Sequence, residues 1–430
     1  MERETASASP DRAVAPTLHL SMVVPGTLLD RAGEQLGRVD DLIVRLDDRG
    51  YPPISGLRVR LAERELFVPA DHIAALEFGQ VRLAGEHLHM RRFERRPGEV
   101  LLRKDVLDRQ LINVDGARLV RANDIELAQV DGVWRVIGVD TTLKGALRRL
   151  LPRRFGARIT TEQFLDWASV EPFVGHVPTL RLRVPHPKLA TLHPAQIADL
   201  VEAASHSEGE EIIEAVGSDR ELEADVFEEL DPQHQVEFLH ERSDAEAAQV
   251  LATMEPDDAA DLLDDLDDER RQAVLELLPH VQRRKLRVLL GHDPATAGGL
   301  MSPDFLALSA ETTVGAALDR VRAAQCPDEA LGAVFALDGE GHLSGTASLP
   351  ALLREPSEKR LVDVAQPVAA QLDVEADFEE VARVMADFNL MVAPVVDEAG
   401  RPVGVVTVDD VLEVMLPTGW RRRFGLLGSE

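Results

Sequence analysis

The 430-residue chain carries 47 Lys and Arg against 76 Asp and Glu, a formal charge of −29, and 45% of its residues are hydrophobic. That length exceeds one core and that hydrophobic content excludes wholesale disorder, so about three globular domains are predicted. No run approaches the ~18 uncharged apolar residues of a membrane span, residues 1–19 read as a flexible polar N-terminus without an apolar signal core, and the single Cys326 excludes an internal disulfide.

The charge is distributed unevenly. Residues 1–190 hold 29 basic and 26 acidic side chains, whereas residues 191–430 hold 18 and 50. A half this acidic repels nucleic acid, which needs a basic footprint, and attracts cations. With the lone thiol, these features predict a soluble cytoplasmic protein without a membrane span of its own and without nucleic-acid binding. The strand-rich N-terminal block shows no paired catalytic carboxylates or nucleophile constellation, and the chain is not read as an enzyme.

From Ser21 to about Leu180 short apolar runs alternate with turn signals. Leu42 to Leu46 precedes the turn Asp47-Asp48-Arg49-Gly50, and Gly56 to Leu61 alternates with period two, as a half-buried strand does. Phe67-Val68-Pro69 and Val81-Arg82-Leu83 continue the style. A second round follows with Gln110 to Val114, the turn Asp115-Gly116, Arg118 to Val120 and Trp134 to Val139. Regular short strands of this kind predict small β-barrels. Leu36-Gly37-Arg38-Val39-Asp40-Asp41-Leu42 and Phe67-Val68-Pro69-Ala70 resemble the signatures of the PRC-barrel family, and Leu111 to Gly116 and Val120 to Ile125 fit the same scheme. Two PRC-like barrels are expected, at 20–95 and 96–180. The resemblance implies docking modules and no chemistry. Asp40 and Asp41 read as turn and capping residues.

Between 188 and 295 the period becomes helical, with apolar residues at Ile197, Leu200, Val201, then Ile212, Ile213, Val216, then Val226, Phe227, Leu230. Breaks recur about every 12 residues, often with Pro in the first turn, at His193-Pro194, Asp231-Pro232 and Glu255-Pro256. Helices this short need stacked neighbours, which predicts an all-α superhelical domain. Asp264-Asp265 to Asp267-Asp268 lacks the glycine and the bidentate glutamate of an EF-hand loop. The histidines lack zinc-hydrolase spacing.

From Gly298 onward two β-α-β units are predicted, at 300–358 and 359–416. The first has a helix Thr313 to Ala323 and strands Ala333 to Leu337 and Gly345 to Ser348. The second has a helix Phe378 to Phe388, strands Val392 to Val396 and Gly404 to Val408, and a helix Asp409 to Met415. Residues 417–430 form a tail containing Arg421-Arg422-Arg423. The fold class is thus multidomain α+β: N-terminal β-barrels, a central helical superhelix and a C-terminal tandem pair.

The string Ala297-Gly-Gly-Leu-Met-Ser-Pro303 and the 377–414 segment resemble the cytoplasmic part of the MgtE magnesium-transporter family, its helical domain joined to a CBS pair. The resemblance covers about 188–416. It implies Mg²⁺, with Mn²⁺ or Ca²⁺ as alternatives, bridging carboxylates at Asp257, Asp258, Asp261, Asp377, Glu379, Asp410 and Glu413; at Asn389 the family often carries an acid. It implies a homodimer through the CBS pair. In the family a pore follows the last helix, and the tail here carries none. A regulator of a membrane transport protein is therefore expected, peripheral to the inner face of the membrane through that partner. Independently, Asp257/Asp261 and Asp410/Glu413 stand at i,i+4 and i,i+3, so each pair projects from one helical face, where like charges repel until a cation bridges them. CBS pairs also bind ATP or AMP. Gly404, Thr407 and Asp410 fit that motif in the second copy, whereas Ala351 replaces the Asp in the first. A nucleotide sensor and a structural adaptor with decayed sites are the alternatives.

Overall fold

The computed structural model of the protein describes residues 17–46, 50–62, 64–85, 91–151, 164–173 and 188–416. The N-terminal residues 1–16, the turn residues 47–49, the end of the second strand-rich round and the tail with its three arginines lie outside the described residues. The chain divides into two compact units, 1–218 and 219–430.

The first unit is strand-rich. β1 (Leu18–His19) precedes β2 (Gly26–Leu29), β3 (Gln35–Arg45), β4 (Ile54–Leu61), β5 (Arg64–Pro69), β6 (Ile73–Glu77), β7 (Gln80–Leu83), β8 (Arg91–Arg92) and β9 (Glu99–Leu101). β2 to β9 form one eight-stranded sheet, ordered β6-β7-β2-β3-β4-β5-β8 with β9 beside β3. Register follows the period-two pattern: Leu57 lies opposite Leu42 and Val68, and all three are buried.

The second round supplies β10 (Gln110–Asn113), β11 (Arg118–Arg121), β12 (Asp124–Val130), β13 (Val133–Asp140), β14 (Leu165–Asp166) and β15 (Val170–Pro172). The turn at Asp131-Gly132 has φ of 52° and 80°, both positive, as a tight hairpin requires. β1 pairs with β12, and one apolar cluster runs from Leu20 through Val59 and Leu102 to Val139 and Val170. The two rounds therefore share a core, and the boundary expected near 95 falls inside it.

Two elements of this unit escape sequence reading. The wide helical turn Leu102–Val106 is held by buried carboxylates: Asp41 accepts from the Arg103 and Lys104 N–H groups at 2.7 and 3.0 Å, and Asp105 accepts from Leu101 N–H at 2.7 Å. Burial pushes the Asp41 pKa up to about 6 against these hydrogen bonds. The helix Leu143–Leu150 brings Arg148 into the interior, where it pairs with Asp124 and Asp140 at 3.0 and 3.1 Å. The first two helices of the expected helical domain, Pro194–Ala203 and His206–Val216, fall in this unit.

The second unit opens with six short helices between Arg220 and Leu289. Every twelfth residue is buried: Phe227, Leu239, Leu251, Leu263 and Leu275. The caps follow the same beat. Ser243 and Glu246 form a capping box, Asp267 accepts from Arg270 N–H at 3.0 Å, and Pro232 and Pro256 open their helices. The acids at 264–268 are thus a helix end and the next helix's cap.

Two three-stranded sheets complete the unit. β16 (Ala307–Ser309) lies parallel to β17 (Ala333–Leu337), which pairs antiparallel with β18 (Leu343–Ser348). β19 (Leu372–Asp373), β20 (Val392–Val396) and β21 (Pro402–Thr407) repeat that order. Each unit is thus β-α-β-β, with an opening strand too short to show a period. Ala330, Phe335, Val392 and Val405 join the copies in one apolar cluster, and Cys326 packs against it with its thiol pKa raised by burial.

Candidate functional site

The Ala297–Pro303 string is a junction. Ala297 and Gly298 donate to the Ala376 and Val374 carbonyls at 2.8 and 2.9 Å, and Ser302 exchanges two backbone hydrogen bonds with Val405. A Cβ on Gly298 would meet Val374 at 2.6 Å, and one on Gly299 would meet the Asp293 carbonyl oxygen at 2.5 Å. The glycines let the end of the helical array lie flat on the second β-α-β-β unit. Because a backbone carbonyl cannot yield as a side chain can, Gly299→Ala is expected to lose about 1–3 kcal/mol of stability by chemical denaturation, as overpacking does.

That junction brings two acidic helix starts under each other's influence. One belongs to Pro256–Asp264, with Glu255 before it and Asp257 and Asp258 in its first turn; the other belongs to Val408–Met415, with Asp409 and Asp410. Positive helix ends lower the cost of placing carboxylates there. Asp257 is buried, and its Oδ1 has no hydrogen-bond partner. Its pKa stands well above the carboxylate range, first through burial and then through the charges of Asp410 and Glu255. Asp258 is raised by burial, Asp257, Glu228 and Glu413.

Two residues that sequence reasoning missed complete the cluster. Glu255 is pushed up to about 8 by burial and then by Glu228 and Asp410, and Glu228 up to about 7 mainly by burial. Glu228 accepts from the Glu255 N–H at 2.7 Å. Asp261 reaches solvent at the edge, yet its packed surroundings and the neighbouring Asp265, Asp264 and Glu413 push it up to about 6. The charges with the largest influence on the five groups from 228 to 261 are all carboxylates.

Asp257, Asp258, Asp261, Asp410 and Glu413 therefore fall in one electrostatic neighbourhood. Asp377 and Glu379 do not join it. Asp377 caps Phe378–Phe388 by accepting from Glu380 N–H at 2.9 Å, and Glu379 stands exposed in the first turn of that helix. Asn389 ends the same helix at φ 51°, a left-handed position that Asn tolerates and that explains its presence.

The nucleotide triad has structural duties as well. A Cβ on Gly404 would meet the Met301 sulfur at 2.6 Å, so the Met301 side chain would have to shift to admit any other residue there. Thr407 is buried, and Asp410 accepts from its N–H at 2.9 Å, which caps the helix that follows.

The donor set suits a hard divalent cation: oxygen-only, acidic, with a buried carboxylate oxygen unpartnered. Among the described residues these carboxylates do not converge within 4.8 Å as a group of three, so a cation held by Asp257, Asp258 and Asp410 would have to draw them together. Among the described residues no helix is long and apolar enough to cross a membrane.

Residues 192–295 match the MgtE intracellular N domain, and residues 363–417 match the CBS domain. The magnesium transporter MgtE of Thermus thermophilus is 35% identical over 217 residues, 44% of this chain and 48% of that protein. MgtE of Bacillus subtilis is 25% identical over 192 residues, covering 45% and 43%. A crystal structure of the cytosolic domain of the Mg²⁺ channel MgtE in complex with ATP shares 30% identity, 53% of this chain, 92% of that one and a TM-score of 0.49. The chain spans less than half the length of the curated relatives it matches. Residues 192–295 are thus similar to the MgtE intracellular N domain and residues 363–417 to a CBS domain.

Proposed function

We propose that this chain is a cytoplasmic Mg²⁺ sensor whose acidic helix starts, from the N domain and the second CBS unit, are drawn together by the ion. The observation that carries the reading is the unpartnered, buried Asp257 Oδ1, whose leading electrostatic neighbours are the carboxylates Asp410 and Glu255. Without metal, the ionised carboxylates repel and loosen the contact across the junction. With Mg²⁺ bound, repulsion becomes attraction and the unit closes. Relatives that are magnesium transporters support Mg²⁺ over Mn²⁺ and Ca²⁺. The closed and open forms would report ion level to a membrane transport protein, docked through the strand-rich, PRC-like unit. Exposed Phe388, Met391, Leu412 and Met415 on the second CBS unit suit a homodimer through that face.

Small-angle scattering and limited proteolysis across a Mg²⁺ titration test the reading. Compaction and protection that disappear in Asp257→Asn/Asp410→Asn are expected. An envelope and cleavage pattern indifferent to Mg²⁺ would refute it and leave the adenine-nucleotide reading, through Thr407 and Asp410, to be tried with ATP and AMP.

A further inference from the structure

A concavity of opposite sign lies within the first unit, far along the chain from the acidic cluster. It has a volume of about 860 Å³ and is walled by β2, the start of β3, Arg58 of β4, the turn Leu102–Val106 and the end of the helix Leu143–Leu150. Six basic side chains line it (Arg38, Arg58, Arg103, Lys104, Arg148 and Arg149), against only Asp41 and Asp108. Residues 1–190 hold 29 basic and 26 acidic side chains, so six against two in one cavity is a local concentration of positive charge.

The six differ in what they can offer a ligand. Arg148 is committed to Asp124 and Asp140, and Arg149 forms a two-pronged pair with Asp108. Those groups build the wall. Arg38 is exposed and lies 3.7 Å from Asp40, which also takes Arg60 at 2.8 Å. Arg58 is mostly buried, and its Nε has no hydrogen-bond partner. Asp41, 4.0 Å from its Nη2, is already engaged by three backbone N–H groups. Arg103 and Lys104 are exposed at the rim, and no carboxylate within ion-pair distance faces either among the described residues. Asp41 fixes their backbone, so both side chains start from a rigid turn.

We infer that this cavity binds a small anion bearing phosphate or carboxylate groups, with Arg58 at its base and Arg103, Lys104 and Arg38 at its mouth. A guanidinium presents paired donors that match either oxyanion, and a lysine adds a mobile charge. The volume falls within the ~300–1,000 Å³ typical of small-molecule sites. A nucleic acid is a poor fit, since it needs an extended basic track that the acidic remainder of the chain does not provide. This site is independent of the Mg²⁺ reading.

The test is isothermal calorimetry on the metal-free full chain, with inorganic pyrophosphate and citrate as probes and chloride as control. One saturable site per chain is expected for at least one probe. Pyrophosphate alone assigns phosphate, citrate alone assigns carboxylate, and both together define a general oxyanion site. Arg103→Gln/Lys104→Gln, at exposed positions that leave the fold intact, is expected to weaken binding about tenfold, as is Arg58→Met, in keeping with the loss of charge-assisted hydrogen bonds. The inference is overturned if neither probe binds more tightly than about 1 mM, or if the double variant binds as well as the parent.

Discussion

Asp257→Asn is expected to unfold at higher denaturant concentration than the parent at pH 8 without divalent cations, and to lose the stabilisation that Mg²⁺ gives the parent. The substitution removes a buried carboxyl whose ionisation is opposed by burial and by Asp410, Glu255 and Asp258. Burial and the neighbouring carboxylates both raise the cost of ionising Asp257, so a neutral amide in its place is expected to gain stability. Mg²⁺ keeps several waters and takes only one or two carboxylates, so losing one buried ligand should weaken its affinity severalfold to tenfold or more. A variant destabilised at pH 8 that still responds to Mg²⁺ would mean that Asp257 is an ordinary buried acid with a partner.

The same groups set the pH dependence. The folded-state values of about 6, 7 and 8 at Asp261, Glu228 and Glu255 lie above their ordinary 3.8 to 4.5. The folded chain therefore holds protons that the unfolded chain has released, and the metal-free protein loses stability as pH rises from about 4.5 through 8. The contribution is fully present below that window and gone above it. Mg²⁺ needs the ionised forms, so its affinity should climb across the same range, and binding near pH 6–7 should release protons. Calorimetry in two buffers of different ionisation enthalpy reads that release directly; identical heats in both would exclude these carboxyls as ligands.

Much of the second unit was legible because its information is local. The twelve-residue beat, with Pro at Pro232 and Pro256 and caps such as Ser243 and Asp267, states where each helix starts, and the buried Phe227, Leu239, Leu251, Leu263 and Leu275 fall on that beat. Asp257 with Asp261, and Asp410 with Glu413, could be found as pairs on one helix face. What could not be read is what the junction brings across distance. Glu228 meets the Glu255 N–H from 27 positions away, and nothing in its own helix marks it. Asp377 shares the acidic string of Glu379 and Glu380, but its carboxylate is spent on a cap. Gly404 carries two meanings at one position, since the nucleotide motif and the close packing of the Met301 side chain both favour a glycine. In the first unit the period-two strands were plain, whereas the sharing of one core by both rounds depends on β1 crossing to β12, a pairing of residues more than 100 positions apart.

The largest stability loss is expected from Arg148→Met in that shared core. Arg148 is fully buried and bridges Asp124 and Asp140, residues on neighbouring strands β12 and β13. The carboxylates are anchored independently. Asp124 accepts from Ser21 N–H and Oγ and from Ile125 N–H, and Asp140 from Thr142 N–H and Oγ. A Cβ on Gly145 would meet the Asp140 carboxyl at 2.7 Å, so the helix carrying Arg148 is seated directly on one of its acids. Methionine fills a similar volume but leaves two carboxylates buried without their cation. Removing one partner from a buried ionic network typically costs about 3–5 kcal/mol, and here two acids are stranded rather than one. Thermal and urea unfolding of the full chain should show the loss in the transition of the first unit, with that of the second unit unchanged. If the loss stems from stranded charge, adding Asp124→Asn and Asp140→Asn should return a large part of it. A loss that stays the same in the triple variant would instead assign the role of Arg148 to packing by its aliphatic stem.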